Sequence, residues 1–254
     1  MLPSVSRAVS AGCWVLLCAF PALADGFPDC PAVFEALDGI ATYYSADGSG
    51  NCSFAPTGDL MVTAVAAPDW SNSAQCGRCL EVWGPLGEIV VRVVDQCPEC
   101  AAGHIDLSAE AFAQIAEPEQ GIVPVSFRSI PCPVTGNVRI HQKDGVNIWW
   151  FAIQVRNHRY GIAEVELKEN NSSLWQPMAR QSYNYFLLTS GPGLQFPVTL
   201  RITDVHQQRI LETLGSVVED SDTAGAHQFA PCAGLFDDGF EAGSASPWWS
   251  HLEP

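Results

Sequence analysis

The chain has 254 residues, 47% of them hydrophobic, and carries 28 acidic against 12 basic side chains for a formal charge of −16. That length allows two small domains or one large one. The negative balance argues against nucleic acid, anionic membranes and acidic polymers, all of which are gripped through basic patches, and it suits a neutral polymer or a cationic partner better, while solubility alone would also account for it.

Residues 1–24 read as a secretory signal peptide. Arg7 is their only charge, 13–20 form an apolar core, and Ala22-Leu23-Ala24 is a small-residue cleavage site. The apolar run is too short to span a membrane, and Leu17 before Cys18 is too bulky for lipoprotein processing. No later stretch is long and apolar enough to anchor the chain, so a secreted, extracellular protein is expected. Of ten cysteines, Cys13 and Cys18 leave with the leader. The rest are Cys30, Cys52, Cys76, Cys79, Cys97, Cys100, Cys132 and Cys232, an even set that reads as disulfides in an exported chain. Cys76-x2-Cys79 and Cys97-x2-Cys100 have zinc-ribbon spacing, but the oxidising compartment and the four further cysteines favour disulfides. No metal and no cofactor are expected.

In chain order, 25–38 are a lead-in. Val- and Ile-rich runs at 60–67, 79–83, 89–94 and 124–130 predict strands separated by Gly, Pro and Asn. One helix is predicted over 109–116, with Ser108 as its cap, Glu110 in its first turn and Pro118 beyond its end. Short strands with one helix suggest a closed barrel. Pro131-Cys132-Pro133 and the turn Thr135-Gly136-Asn137 mark a boundary, giving a first domain over 25–133 and a second over 134–231. In the second, Phe151, Ile153 and Val155 alternate with Ala152, Gln154 and Arg156; Ala163, Val165 and Leu167 repeat the pattern, as do Val198, Leu200 and Ile202. Period-two alternation across about a hundred residues predicts a β-sandwich. Residues 232–254 form an acidic tail ending near Trp248-Trp249.

Several residues are candidates for chemistry. Asp95 ends a hydrophobic run and Asp106 precedes the helix; a carboxylate pair in a groove is what glycosidic chemistry needs, one to protonate the leaving oxygen and one to activate water. For Asp95, loop bonding is the more economical role. His104 lies on the same side of an extended segment as Asp106. Thr42 and Tyr43 fall in a glycine-rich turn after a short strand, where a hydroxyl can bond a groove carboxylate and a ring can line a sugar subsite. Trp149, Trp150 and Tyr183 are candidates for a platform that stacks on sugar rings, with Lys143 near enough to bond their hydroxyls. Two adjacent indoles both face solvent only if the strand begins after them or bulges there.

GIATYY, CGRCLEV, DQCPECAAGHIDLS, VTGN, WWFAIQVRNHRY and SYNYF occur in that order, and with them the chain resembles microbial expansins from about Gly39 to Pro231. The resemblance implies a mostly β protein: a six-stranded double-psi β-barrel followed by an immunoglobulin-like β-sandwich carbohydrate-binding module. It implies a monomer that binds cellulose and matrix polysaccharides such as xyloglucan or xylan, and loosens plant cell walls by disturbing noncovalent contacts without hydrolysis. By the same resemblance, Asp106 matches the essential acid, Thr42 and Asp95 its groove partners, and Trp149, Trp150, Tyr183 and Lys143 the platform. Cys97 stands where some relatives have a tyrosine. Related endoglucanases carry a second aspartate as base, where this chain has Ser45, with Asp47 two residues on. The family's disulfides imply Cys52–Cys76 and Cys79–Cys132, leaving Cys97–Cys100 and Cys30–Cys232. A weak endo-β-glucanase, a lytic transglycosylase acting on peptidoglycan, and a non-catalytic adhesin are the alternatives.

Overall fold

The structure is a computed structural model that describes residues 35–232. The expected leader, Cys30 and residues 233–254 of the acidic tail lie outside the described residues.

The first half contains β1 (Leu37–Tyr44), β2 (Val62–Ala66), β3 (Cys79–Gly84), β4 (Gly87–Cys97), β5 (His104–Ser108), α1 (Ala109–Ile115) and β6 (Val123–Ile130). The strands close into a barrel in the order β1-β5-β2-β4-β3-β6. β1 runs parallel to β5, and β2 parallel to β4. Closure removes exposed strand edges. Val65, Val82, Val91, Ile105 and Leu107 fill the interior. The helix forms where expected: the Ser108 hydroxyl accepts from the Ala111 N–H at 3.0 Å, satisfying one of the first turn's free donors. Phe112 and Ile115 on its inner face are fully buried. Gly84 lets β3 pass this helix, because a Cβ there would sit 2.8 Å from that of Ile115. Thr42 and Tyr43, read as a turn in the sequence, are inside β1, which extends through Tyr44.

The second half forms a sandwich from β7 (Arg139–Gln142), β8 (Trp150–Arg156), β9 (Ile162–Glu169), β10 (Gln176–Pro177), β11 (Ala179–Arg180), β12 (Phe186–Thr189), β13 (Val198–Asp204), β14 (Arg209–Leu214) and β15 (Ser221–Ala224). One sheet is ordered β10-β9-β13-β14, the other β11-β12-β8-β7-β15. Phe151, Ile153, Val165, Leu167, Leu200 and Ile202 pack between them. Two departures from simple alternation have local causes. The register between β9 and β13 shifts at Thr203/Asp204, so Ile162 pairs with Asp204 and is buried while Ala163 is exposed. In β8, Ala152 and Gln154 are as buried as Phe151 and Ile153, because the barrel covers what would be the outer face.

That cover is hydrogen-bonded. Gln154 and Asn184 both donate to the Cys52 carbonyl, at 2.8 and 3.2 Å. Trp70 Nε1 donates to the Ser182 carbonyl at 3.2 Å, Asn72 to that of Arg180 at 3.2 Å, and Ser73 to that of Gln181 at 2.8 Å. Disulfides join Cys52 to Cys76, Cys79 to Cys132 and Cys97 to Cys100. The two Cys-x2-Cys motifs are thus divided among three bonds, which leaves no four-thiolate zinc site. Cys232 is disulfide-bonded as well.

Candidate functional site

The parallel pairing of β1 and β5 sets Thr42 beside Asp106. Alternation along β5 buries Ile105 and Leu107 and turns His104 and Asp106 outward together. The Thr42 hydroxyl donates to Asp106 Oδ1 at 2.5 Å, and its oxygen lies 2.8 Å from His104 Nε2. A continuous histidine–threonine–carboxylate chain results. Burial pushes the Asp106 carboxyl above its usual range; the Thr42 bond and His104 pull it back, and Glu99 and Asp95 push it up.

Asp95 ends up in a different role from Asp106. Its Oδ1 accepts the backbone N–H groups of Asn51 and Gln96, at 2.7 and 2.8 Å. It pins the 47–52 loop, and Gly50 lies so close that a Cβ there would fall 2.5 Å from Asp95 Cγ. Asp47 folds back on that same loop: its Oδ1 accepts from the backbone and hydroxyl of Ser49, at 2.9 and 2.6 Å. These bonds hold its carboxyl below the ordinary carboxylate range.

Tyr43 points away from Thr42. Its ring lies 4.8 Å from that of Phe112 on α1, and its hydroxyl donates to the Pro118 carbonyl at 3.3 Å. Tyr44 takes the groove side instead, packed on Ala64, Ala66 and the Cys97–Cys100 disulfide. Burial and the carboxylates of Asp95, Asp106 and Asp47 raise its phenol far above its ordinary value, so it remains a proton donor. Strict alternation from Thr42 within GIATYY identifies Tyr44 once that segment is read as strand. Tyr44 thus packs directly beside Cys97.

The indoles resolve as a strand start. β8 begins at Trp150, and the Asn147 side chain accepts from both Trp149 N and Trp150 N at 3.0 Å, turning the chain just before the strand. Trp149 is 58% exposed; Trp150 and Tyr183 are partly buried against the sandwich. Asn184, at φ 63°, turns the chain between Tyr183 and Tyr185, whose rings lie 5.8 Å apart. Lys143 Nζ stands 5.7 Å over the Tyr185 ring. Tyr185 was not singled out in the sequence, although its i, i+2 spacing from Tyr183 was there to read.

This is a two-domain β protein: a barrel that carries an outward carboxylate and, held against it, a sandwich that carries an exposed indole. Known proteins share the arrangement. Residues 62–127 match the family profile described as lytic transglycolase, and residues 134–230 match that of the expansin-like protein middle domain. Expansin-YoaJ of Bacillus subtilis (strain 168) is 33% identical over 200 residues, covering 76% of this chain and 84% of that protein. Expansin-like protein 5 of Dictyostelium discoideum is 31% identical over 217 residues, covering 80% and 90%. The crystal structure of apo-Clavibacter michiganensis expansin superposes with a TM-score of 0.71 at 33% identity, covering 78% of this chain and 99% of that one. A mutant of that expansin in complex with cellohexaose gives the same values. The chain belongs to the expansin family, and its fold is a double-psi β-barrel followed by a β-sandwich.

Proposed function

We propose that this expansin is secreted, binds an extended β-1,4-glucan such as cellulose along Trp149, Trp150 and Tyr183, and engages the same or a neighbouring chain at the Asp106 groove. Binding loosens the plant cell wall by competing for the lateral contacts between polysaccharides, and no covalent bond changes. The observation that carries this reading is the pairing of an exposed Trp149, 58% accessible, with an outward carboxylate that is already hydrogen-bonded to Thr42. An indole face presented to solvent gains by covering the apolar C–H face of a sugar ring. The cellohexaose complex of a Clavibacter michiganensis relative supports the same ligand class.

Hydrolysis needs a second group to activate water or attack carbon. Ser45 has no activating partner among the described residues, and Asp47 is committed to Ser49 with its basicity lowered. An acid without a base fits loosening better than cleavage. The lytic transglycosylase reading rests on the profile matched by residues 62–127 and on Asp106 serving as the sole acid.

Wall extension and release of reducing ends should be measured on one preparation. Wild type should extend walls with no new reducing ends from cellulose or peptidoglycan. Asp106→Asn should lose extension yet keep cellohexaose affinity within about twofold, because the platform is untouched. Sugar release that disappears with Asp106→Asn would establish the enzymatic reading. Full activity in the isolated 134–231 segment would establish the adhesin.

A further inference from the structure

A cavity of about 660 Å³ lies where the barrel meets the sandwich. Barrel residues Phe54, Thr57 and Arg92 form one wall, and Arg139, Arg156 and Asn157 of the sandwich form the other. Its size lies within the range of small-molecule sites, roughly 300–1,000 Å³. It shares Phe54, Ala55, Arg156 and Asp222 with a second cavity of about 630 Å³ that reaches Tyr185. The two spaces therefore adjoin, and together they reach from Tyr185, the neighbour of Tyr183, to the domain junction.

The charge of the junction cavity, three arginines against Asp59 and Asp222, contrasts with the molecule around it. In a chain of net charge −16, three guanidinium groups face the cavity. Arg139 and Arg156 share a single carboxylate, that of Asp222, at 3.5 and 3.2 Å. Arg92 has no carboxylate within ion-pair distance and no side-chain hydrogen bond among the described residues. The other acid in the wall, Asp59, accepts the Met61 N–H at 2.9 Å. His158, also in the wall, is held neutral by burial and by the neighbouring cations Arg92, Arg180 and Arg78. Asp59 acts on Arg92 electrostatically without forming an ion pair, so this partly buried guanidinium forgoes the direct stabilisation that an incoming carboxylate supplies through paired N–H···O bonds. Phe54 offers an apolar face, and Thr57 and Asn157 add polar groups, which is the mixed lining a sugar ring requires.

We propose that the junction cavity is a subsite for a carboxylate-bearing sugar, a uronic acid carried as a side branch on a β-1,4-linked matrix glycan whose backbone lies on the platform. This rests on the glycan-binding function above and narrows its substrate class. The overall negative charge does not forbid it. Screening over about 8 Å at physiological ionic strength makes the nearest guanidiniums outweigh distant carboxylates. Long anionic polymers such as pectin remain repelled, while a backbone bearing isolated acids is admitted.

The test is calorimetric titration of the full chain with xylotetraose carrying one glucuronic acid branch, with unbranched xylotetraose, and with cellohexaose. The branched sugar should bind about tenfold or more tighter than the unbranched one, and high salt should shrink the difference. Arg92→Gln should bring the two xylotetraoses within about twofold of each other and leave cellohexaose unchanged. Ala55→Trp, which blocks the stretch shared by the two spaces without altering charge, should do the same, and it decides the matter if Arg92→Gln melts early. Equal affinity of wild type for both xylotetraoses, or a preference that survives both variants, overturns the subsite. Loss of cellohexaose binding by wild type would instead overturn the platform reading and leave a measured acid preference standing.

Discussion

At Asp106, burial and its two polar neighbours pull the proton in opposite directions. Burial favours the neutral acid, whereas the Thr42 hydroxyl and His104 favour the carboxylate. Removing Thr42's bond must therefore raise the carboxyl further, because the charged form loses a donor while burial stays. An NMR titration of the Asp106 carboxyl should give a midpoint above the ordinary 3.8 in wild type and a higher one in Thr42→Val. A midpoint that falls in Thr42→Val would show that the hydroxyl stabilises the neutral acid. The arrangement of His104 and Asp106 on one side was legible from their two-residue spacing within a strand. The Thr42 partnership follows from a parallel register across 64 positions, which local sequence does not encode.

Among the elements, the turn at 71–73 holds the loop that leads into Tyr183 of the proposed platform. Ser71, Asn72 and Ser73 all adopt left-handed φ values, 50°, 52° and 66°, a costly conformation for non-glycine residues. The turn aims Asn72 and Ser73 at the carbonyls of Arg180 and Gln181, and Trp70 at that of Ser182, the residues leading into Tyr183. The barrel thus holds the loop that carries a sandwich tyrosine. Trp70→Phe keeps the buried ring but loses its donor and leaves a carbonyl short of a partner, costing about 1 kcal/mol. Trp70→Ala also opens a cavity and should cost about 3–5 kcal/mol in chemical denaturation. Cellohexaose affinity should fall in Trp70→Phe although the residue lies outside the platform; unchanged affinity would show that Tyr183 keeps its place without the barrel. The helix, by contrast, was readable from Ser108 through Ile115, since its cap and its apolar face are local signals.

For the whole molecule, two buried groups give stability opposing slopes with pH. His158 is wholly buried at the domain junction, beside a Gly77 that leaves room for no Cβ, and burial lowers its pKa to about 4. The unfolded chain binds that proton up to the ordinary 6.5, so this group makes stability rise as pH climbs from about 4 to 6.5. Burial raises Asp204 to about 6 from an ordinary 3.8, so the folded chain holds its proton longer and stability falls as pH climbs through that window. The two contributions offset each other over about pH 4 to 6. Urea midpoints across that range should rise more steeply with pH in Asp204→Asn than in wild type, and less steeply in His158→Gln. Parallel profiles in all three would mean that neither group titrates within the window.

Composition, alternation and turn chemistry determined a mostly β chain with one capped helix in its first half, and the order of its motifs carried the expansin resemblance. Those signals are local: a period of two, a capping serine, a proline-flanked break. The tertiary structure decided which tyrosine of β1 faces the groove, that β8 is buried on both sides, and that Arg92, Arg139 and Arg156 meet in one cavity. Each of these depends on contacts between segments far apart in the chain, where strand register and domain packing choose the neighbours. No short window of sequence holds that choice, because it is made by burial and pairing summed over the folded molecule.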